Sequence, residues 1–328
     1  MTNTLEVTRL TNHSADPEQT LVVTDRRAAA DGVVSLTLRR PDGGTLPAWA
    51  PGAHIDLILA PELERQYSLC GDPDRTDHWR IGVLREPDGR GGSAFVHEEV
   101  NVGKSVVVRG PRNHFGLDEA PSYLFIAGGI GITPILPMIA EAHRRGAAWK
   151  LWFGGRRGGS MAFQDELAAH GDRVRFWPQE EKGLLPLDDI LASRDADALV
   201  YCCGPEALLA AVESRSTEWP AGTLHLERFS PKEFAEPVSQ KAFQVTCRQS
   251  GISVEVDPDR SILETLEEAD VFVDSSCREG ICGTCETEVI SGAIEHRDSV
   301  LTLEEQAAGD RMMICVSRAR GDGLVLDV

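Results

Sequence analysis

The chain has 328 residues, 41% hydrophobic and 26% charged, which is long enough for two or three domains with their own cores. Its formal net charge of −19 argues against nucleic acid and against an anionic membrane surface as partners. Eight cysteines over this length do not make a disulfide scaffold.

The charge is uneven. Residues 240–328 hold 8 Lys/Arg against 18 Asp/Glu, a net of −10, so just over a quarter of the chain carries half the charge. That marks an acidic C-terminal module, a surface able to steer a basic partner. The start, "MTNTLEVTRLTNHSADPEQT", has no basic stretch followed by an apolar run. Residues 1–19 therefore read as a polar, poorly ordered tail rather than a signal peptide, and a cytoplasmic location is expected.

Residues 20–117 read as short antiparallel strands, in "LVVTDRRAAADGVVSLTLRRPDG", "HIDLIL", "HWRIGVLRE" and "KSVVVRG", which predicts a small β-barrel. "RQYSLC" at 65–70 follows a strand-rich stretch, and "GRGGSAFVHE" comes further on. A Tyr67 face suits an isoalloxazine ring, the Ser68 hydroxyl a ring nitrogen, and Arg65 a phosphate. Gly91, Gly92 and Ser93, opening a helix, offer N–H groups to the same phosphate. Taken singly, each half reads equally as an ordinary loop.

Residues 118–229 alternate strands with helices, which predicts a parallel α/β sheet. The segments are "YLFIAGG", "PILPMIAEAHRRG", "WKLWFGG", "MAFQDELAAHG", "VRFWPQ" and "ALVYCCGPEALLAAVESR". The uncharged stretch 123–140 imitates a membrane span, but Gly128, Gly129, Gly131, Pro134 and Pro137 make it a strand, a turn and a helix start. Thr133 is expected as the helix N-cap and Pro134 as the first helical residue, leaving an anion site in front of them. The spacing is not G-x-G-x-x-G, and no acidic residue ends the next strand as a ribose clamp. A second turn, Cys203-Gly204-Pro205, again joins a strand to a helix. Cys202 is expected on the opposite face, in the core, and Cys70 and Cys247 as packed small hydrophobes. In "FGGRRGG", Arg156 and Arg157 suit an adenosine ribose or a 2′-phosphate, or else form an exposed basic loop.

Residues 230–241 read as a polar, proline-containing linker. Residues 242–328 follow as a compact α+β module: the hairpin "FQVTCRQSGISVEVD", the helix "SILETLEEA" and the loop "SSCREGICGTC". The spacing Cys277-x4-Cys282-x2-Cys285, with Cys315 in "MMICVSRA", is that of a plant-type [2Fe–2S] cluster. Gly280 and Gly283 allow positive φ, so the loop wraps a cluster and aims N–H groups at its sulfurs. Structural zinc and a redox dithiol at "CGTC" compete with this reading. Zinc usually takes paired knuckles, and the dithiol needs a thioredoxin-like unit.

On these residues the C-terminal module resembles plant-type ferredoxins, and "HRDSVLTLEEQ" is similar to ferredoxin domains fused to oxygenase reductases. "RQYSLC", "GRGGS" and "GPRNHFGL" (110–117) resemble the flavin domain of the ferredoxin–NADP reductase superfamily, in its phthalate dioxygenase reductase branch. "IAGGIGITP", "YCCGPEAL" and "HLERFSP" (225–231) resemble its nicotinamide domain. The whole order resembles the phthalate dioxygenase and vanillate O-demethylase reductases.

That resemblance implies an antiparallel β-barrel flavin domain, an α/β parallel-sheet nicotinamide domain and a β-grasp ferredoxin domain. It implies FMN rather than FAD, a [2Fe–2S] cluster on Cys277, Cys282, Cys285 and Cys315, and NADH, with NADPH left open by the two arginines. Arg65, Tyr67, Ser68, Gly92 and Ser93 are the implied FMN contacts, with Gln66, Val83, Leu84 and Gly91 counted beside them. Gly128, Gly129, Gly131, Thr133, Pro134, Arg156, Gly204 and Pro205 are the candidates for the nucleotide. Cys203 is expected near the nicotinamide and Phe229 near either ring; Ser68 and Cys203 are the catalytic candidates. The expected role is reductase for a terminal oxygenase, a Rieske-type aromatic oxygenase or demethylase first and a cytochrome P450 second. A non-enzymatic [2Fe–2S] carrier or redox sensor is the rival from another class.

Overall fold

The computed structural model describes residues 18–60, 63–87, 89–231 and 241–328. The expected tail and linker lie almost wholly outside the described residues.

The first sheet comprises β1 (Gln19–Ala30), β2 (Val33–Arg39), β3 (His54–Ala60), β4 (Leu63–Ser68), β5 (Trp79–Leu84) and β6 (Ser105–Arg112), with helix α1 (Gly92–Glu99) between the last two. The strands pair antiparallel in the order β4-β3-β6-β1-β2-β5. Its two edges are drawn together by a bridge between Leu69 and Ile81, and the Cys70 N–H donates to the Arg80 carbonyl at 2.8 Å. The sheet therefore curls into a barrel. Alternation places Leu21, Val23, Leu36, Leu38, Ile55, Leu57, Trp79 and Ile81 inside it. The residues Arg65 to Ser68 are themselves strand β4, where the sequence pattern had only suggested a stretch after strands.

The second sheet is parallel: β7 (Ser122–Gly128), β8 (Ala148–Gly155), β9 (Val174–Pro178), β10 (Ala198–Cys203) and β11 (Leu224–Glu227), in the order β11-β10-β7-β8-β9. Between and beside them run α2 (Ile132–Arg144), α3 (Gln164–Ala168), α4 (Gln179–Lys182), α5 (Leu187–Ala192) and α6 (Glu206–Arg215). All seven residues of β7 are buried, as its unbroken apolar run requires of a strand covered on both faces. Ile135, Met138 and Ile139 of α2 share one core with Phe125, Ala127 and Phe153. Ile190, Leu209 and Val212 of α5 and α6 share another with Leu124, Ile126 and Val200. "MAFQDELAAHG" yields only the five-residue α3, because Met161, Ala162 and Phe163 are drawn into the core and Phe163 takes a φ of 62°. The uncharged stretch 123–140 is β7, a glycine turn and the start of α2. No described helix is long and apolar enough to cross a membrane.

The third unit contains β12 (Phe243–Cys247), β13 (Ser253–Val256), α7 (Ile262–Glu268), β14 (Glu286–Ser291), β15 (Ile294–Glu295), α8 (Leu303–Ala308), β16 (Arg311–Met313), β17 (Arg318–Ala319) and β18 (Gly323–Leu326). Its sheet runs β13-β12-β18-β14-β16, with β12 and β18 parallel and the other neighbours antiparallel. Ser261 caps α7 in a reciprocal box with Glu264, and Ile262, Leu263 and Leu266 enter the core beside Val245 and Leu324. The cysteine loop fills the connection from α7 to β14.

Candidate functional site

The two halves of the expected flavin signature meet. Arg65 lies along Gly92 so closely that a Cβ there would stand 2.4 Å from the Arg65 Cγ, and the Arg65 Nη2 donates to the Arg90 carbonyl at 2.8 Å. Gly91 takes a φ of 81° as the N-cap of α1, without a side-chain cap and with no acid in the first turn. The first N–H groups of α1 thus keep a positive end free beside a guanidinium, which fits a phosphate. Ser93 accepts a bond from the Glu86 N–H at 3.0 Å, closing the preceding loop. Tyr67 is half-buried, and burial pushes its phenol up to about 12, so it is neutral. Ser68 is buried opposite His54 of β3. Val83 points into the barrel core and its carbonyl bonds His97 at 3.0 Å, while Leu84 packs beside the parallel-sheet domain. The Gln66 amide donates to Asp56 at 3.0 Å and to Ser276, so this side chain is turned to the cysteine loop.

The two glycine turns of the parallel sheet are also brought together, because β7 and β10 are neighbours and Ala127 pairs with Cys203. The sheet order changes direction between these two strands, which is where open α/β sheets hold ligands. Gly128 and Gly204 touch: a Cβ on Gly204 would stand 2.9 Å from the Gly128 Cα, and one on Gly128 would stand 2.7 Å from Pro205. Gly129 has a φ of 56° and begins the turn into α2. Thr133 is not the N-cap. The helix begins at Ile132 after Gly131, so Thr133 and Pro134 lie in its first turn, and the Thr133 hydroxyl donates to the Ile130 carbonyl at 2.9 Å. The first turn of α2 carries no side-chain cap, but the glycine turn in front of it already takes up the Ile132 N–H on the Gly129 carbonyl, so backbone partly fills the anion site expected there.

Cys203 is fully buried, with its sulfur 3.9 Å from the Glu227 carboxylate, and burial together with Glu227 pushes the thiol well up. It is a neutral thiol. Cys202 faces the opposite core, and Cys70 and Cys247 are buried as expected. Arg156 and Arg157 are exposed just past β8, and Phe229 is 40% exposed just past β11.

All four cluster candidates are buried. Their thiols fall in two pairs, Cys277 with Cys282 and Cys285 with Cys315. Among the described residues no three His, Cys, Asp or Glu side chains converge on one ion position. Four buried thiols, three from one loop and the fourth from Cys315, match the ligand set of a two-iron cluster. The Glu279 N–H donates to the Cys277 sulfur at 3.3 Å, and Thr284 lies 3.1 Å from the Cys282 sulfur. Arg278, Gly280 and Gly283 take φ of 57°, 69° and 74°, which is how so short a loop curls around a cluster.

Contacts between units were not visible in the sequence. Ser276 bonds Glu64 and Gln66 of β4, Arg90 pairs with Glu279 at 2.7 Å, and a Cβ on Gly283 would collide with the His114 ring. On the other side, a Cβ on Gly82 of β5 would meet Thr133 at 2.9 Å and Phe163 at 3.2 Å, and Arg80 pairs with Glu166 at 2.6 Å. Gly82 and Gly283, which have no Cβ, are what let these neighbours approach so closely.

Two domain families match the chain: a 2Fe-2S iron-sulfur cluster binding domain over residues 245–320 and an oxidoreductase NAD-binding domain over residues 125–214. The chain is 42% identical over 301 residues to phenoxybenzoate dioxygenase subunit beta of Ectopseudomonas oleovorans, covering 91% of this chain and 94% of that one. It is similar to phthalate dioxygenase reductase, described as a modular structure for electron transfer from pyridine nucleotides to [2Fe-2S]. There the TM-score is 0.68 at 35% identity, over 95% of this chain and 98% of that one. It is also similar to an intact type IV self-sufficient cytochrome P450 monooxygenase, with a TM-score of 0.89 at 43% identity. That match covers 95% of this chain, which spans 41% of the P450 protein's length.

Proposed function

The chain belongs to the phthalate dioxygenase reductase family, and on that footing we propose that it passes electrons from NADH through FMN to a [2Fe–2S] cluster and on to a terminal oxygenase. It is an NAD(P)H-dependent oxidoreductase with an NAD-binding domain and a [2Fe–2S] domain. The observation that supports the route is spatial. Strand β4 meets the cluster loop through Ser276, and strand β5 meets the nicotinamide turn through Gly82 and Thr133. The strands carrying the flavin candidates therefore stand between the other two sites, although the chain orders them differently.

A bound flavin supplies the conversion of an electron pair into single electrons. Arg65 and the uncapped first turn of α1, at Gly91, Gly92 and Ser93, hold its phosphate. Tyr67 would cover the flavin ring and Ser68 would hydrogen-bond its edge, with Gln66, Val83 and Leu84 lining the same site. Gly128, Gly129 and Gly131, with Thr133 and Pro134 fixing the helix start, receive the pyrophosphate of the nucleotide. Cys203, Gly204 and Pro205 border the nicotinamide, where a neutral Cys203 thiol contributes packing rather than nucleophilicity. Arg156 takes the adenosine end and Phe229 closes over a ring. Cys277, Cys282, Cys285 and Cys315 would hold the cluster, which would take up electrons one at a time.

A Rieske-type aromatic oxygenase or demethylase in the cytoplasm is the favoured acceptor, since relatives are named as dioxygenase subunits. A P450 is the second reading, favoured by the match to a P450 fusion. The test is anaerobic: NADH and a trace of this chain are mixed with a purified Rieske oxygenase component or with a P450. Fast bleaching of the Rieske bands is expected. Reduction of the P450 alone would move the assignment to the second reading.

A further inference from the structure

We infer that Glu64, Gln66 and Ser276 form a latch that docks the cluster loop onto strand β4 and sets the rate at which single electrons cross from flavin to cluster. The inference rests on the electron route proposed above.

The Ser276 hydroxyl donates to the Glu64 carboxylate and accepts from the Gln66 amide, whose other bond goes to Asp56 at 3.0 Å. Each flavin-side member is braced in turn. Arg109 reaches both Glu64 oxygens at 3.4 Å, and Arg112 pairs with Asp56, which is fully buried. Asp56 lies on β3, Glu64 and Gln66 on β4, and both arginines on β6. These are three adjacent strands of one sheet, so the socket is rigid before Ser276 enters it. Charge-assisted bonds in a partly buried site are strong and directional. By contrast, the Arg90–Glu279 pair beside it is more exposed on the arginine side and screened, so it contributes little to fixing the loop.

Position makes the latch matter. Gln66 sits between Arg65 and Tyr67, the candidates for the flavin, and Ser276 directly precedes the ligand Cys277. One hydroxyl therefore ties the flavin strand to the cluster's first ligand residue. A loop released from that tie still folds around its cluster, but the distance and orientation between the two centres are no longer held. Ser276 and Glu64 are positioning residues; neither touches a reacting atom.

The test uses the full holoprotein with Ser276→Ala, with Glu64→Ala, which lies far from the cluster ligands in sequence, and with Glu64→Gln, which keeps an acceptor for Ser276. Anaerobic stopped-flow with NADH separates flavin bleaching from the later bleaching of the cluster. Bleaching of the flavin is expected at the wild-type rate, and the cluster step is expected to slow several-fold in both alanine variants, because that step depends on the distance and orientation the latch holds. Hydrogen exchange over residues 275–284 should speed up in the same variants, while the electron paramagnetic resonance signal of the chemically reduced cluster stays unchanged. Glu64→Gln, which keeps the acceptor but loses the charge that Arg109 braces, should fall between wild type and Glu64→Ala in both rate and protection. Wild-type transfer rates, or unchanged exchange in the two alanine variants, would overturn the latch. A wild-type flavin that NADH does not bleach would instead sink the electron route, and exchange would still judge the docking.

Discussion

Gly131 packs directly beneath the Cys203 carbonyl: a Cβ at residue 131 would stand 2.3 Å from that oxygen. The clash is with backbone, so no rotamer change relieves it, and the two nucleotide turns must move apart. Gly131→Ala should cost about 1–3 kcal/mol as overpacking and raise the KM for NADH more than it lowers kcat. Thermal melting and steady-state dye reduction check both halves.

Loss of one cluster ligand should divide the activity. Cys282→Ser leaves the barrel and the parallel sheet intact, so NADH oxidation by a small dye should persist while reduction of a protein acceptor such as cytochrome c disappears. Loss of both activities would contradict the proposed order of transfer.

Desolvation of the partly buried Glu227 carboxyl pushes it up to about 8 from its ordinary 4.5. Between those values the folded chain holds a proton that the unfolded chain has released, so this residue makes stability fall as pH rises through that window. Glu227→Gln removes the dependence. Its melting temperature should gain on the wild type as pH goes from about 5 to about 8, by the equivalent of about 1–3 kcal/mol. A constant difference across that range would contradict the assignment.

Arg156 is exposed beyond β8, with no side-chain partner among the described residues. Arg156→Glu should raise the KM for NADPH, whose 2′-phosphate it would repel, by about tenfold, equal to about 1.4 kcal/mol. NADH should be affected less. Equal effects on both nucleotides would place Arg156 away from the ribose.

The acidic C-terminal unit predicts a salt effect. Electron delivery to a protein acceptor should slow as ionic strength rises past about 0.1 M, where the screening length is about 10 Å. Rates that stay flat would remove charge steering from the account.

What the sequence disclosed depended on how local the pattern was. Cys277, Cys282 and Cys285 lie within nine residues, so their spacing alone announced a cluster, and the unbroken apolar run of β7 announced a strand buried on both faces. Thr133 misled by two positions because a 3-10 turn over Gly129–Gly131 precedes the helix and Ile132 is already helical. The Gln66–Ser276 bond joins residues 210 apart, and nothing in either neighbourhood encodes the other. The full burial of Asp56 and the partial burial of Glu64 and Glu227 have no local mark for the same reason. Their burial is a property of the assembled units, not of local periodicity.

Titrating the purified protein with NADH under anaerobic conditions, following absorbance, and then identifying the flavin released on denaturation decides whether electrons run from nucleotide through flavin to cluster. Bleaching of the flavin first, loss of the iron–sulfur bands next, and FMN in the supernatant are the expected results. A protein without flavin, or with a flavin that neither NADH nor NADPH bleaches, would contradict that route and leave a ferredoxin joined to two silent domains.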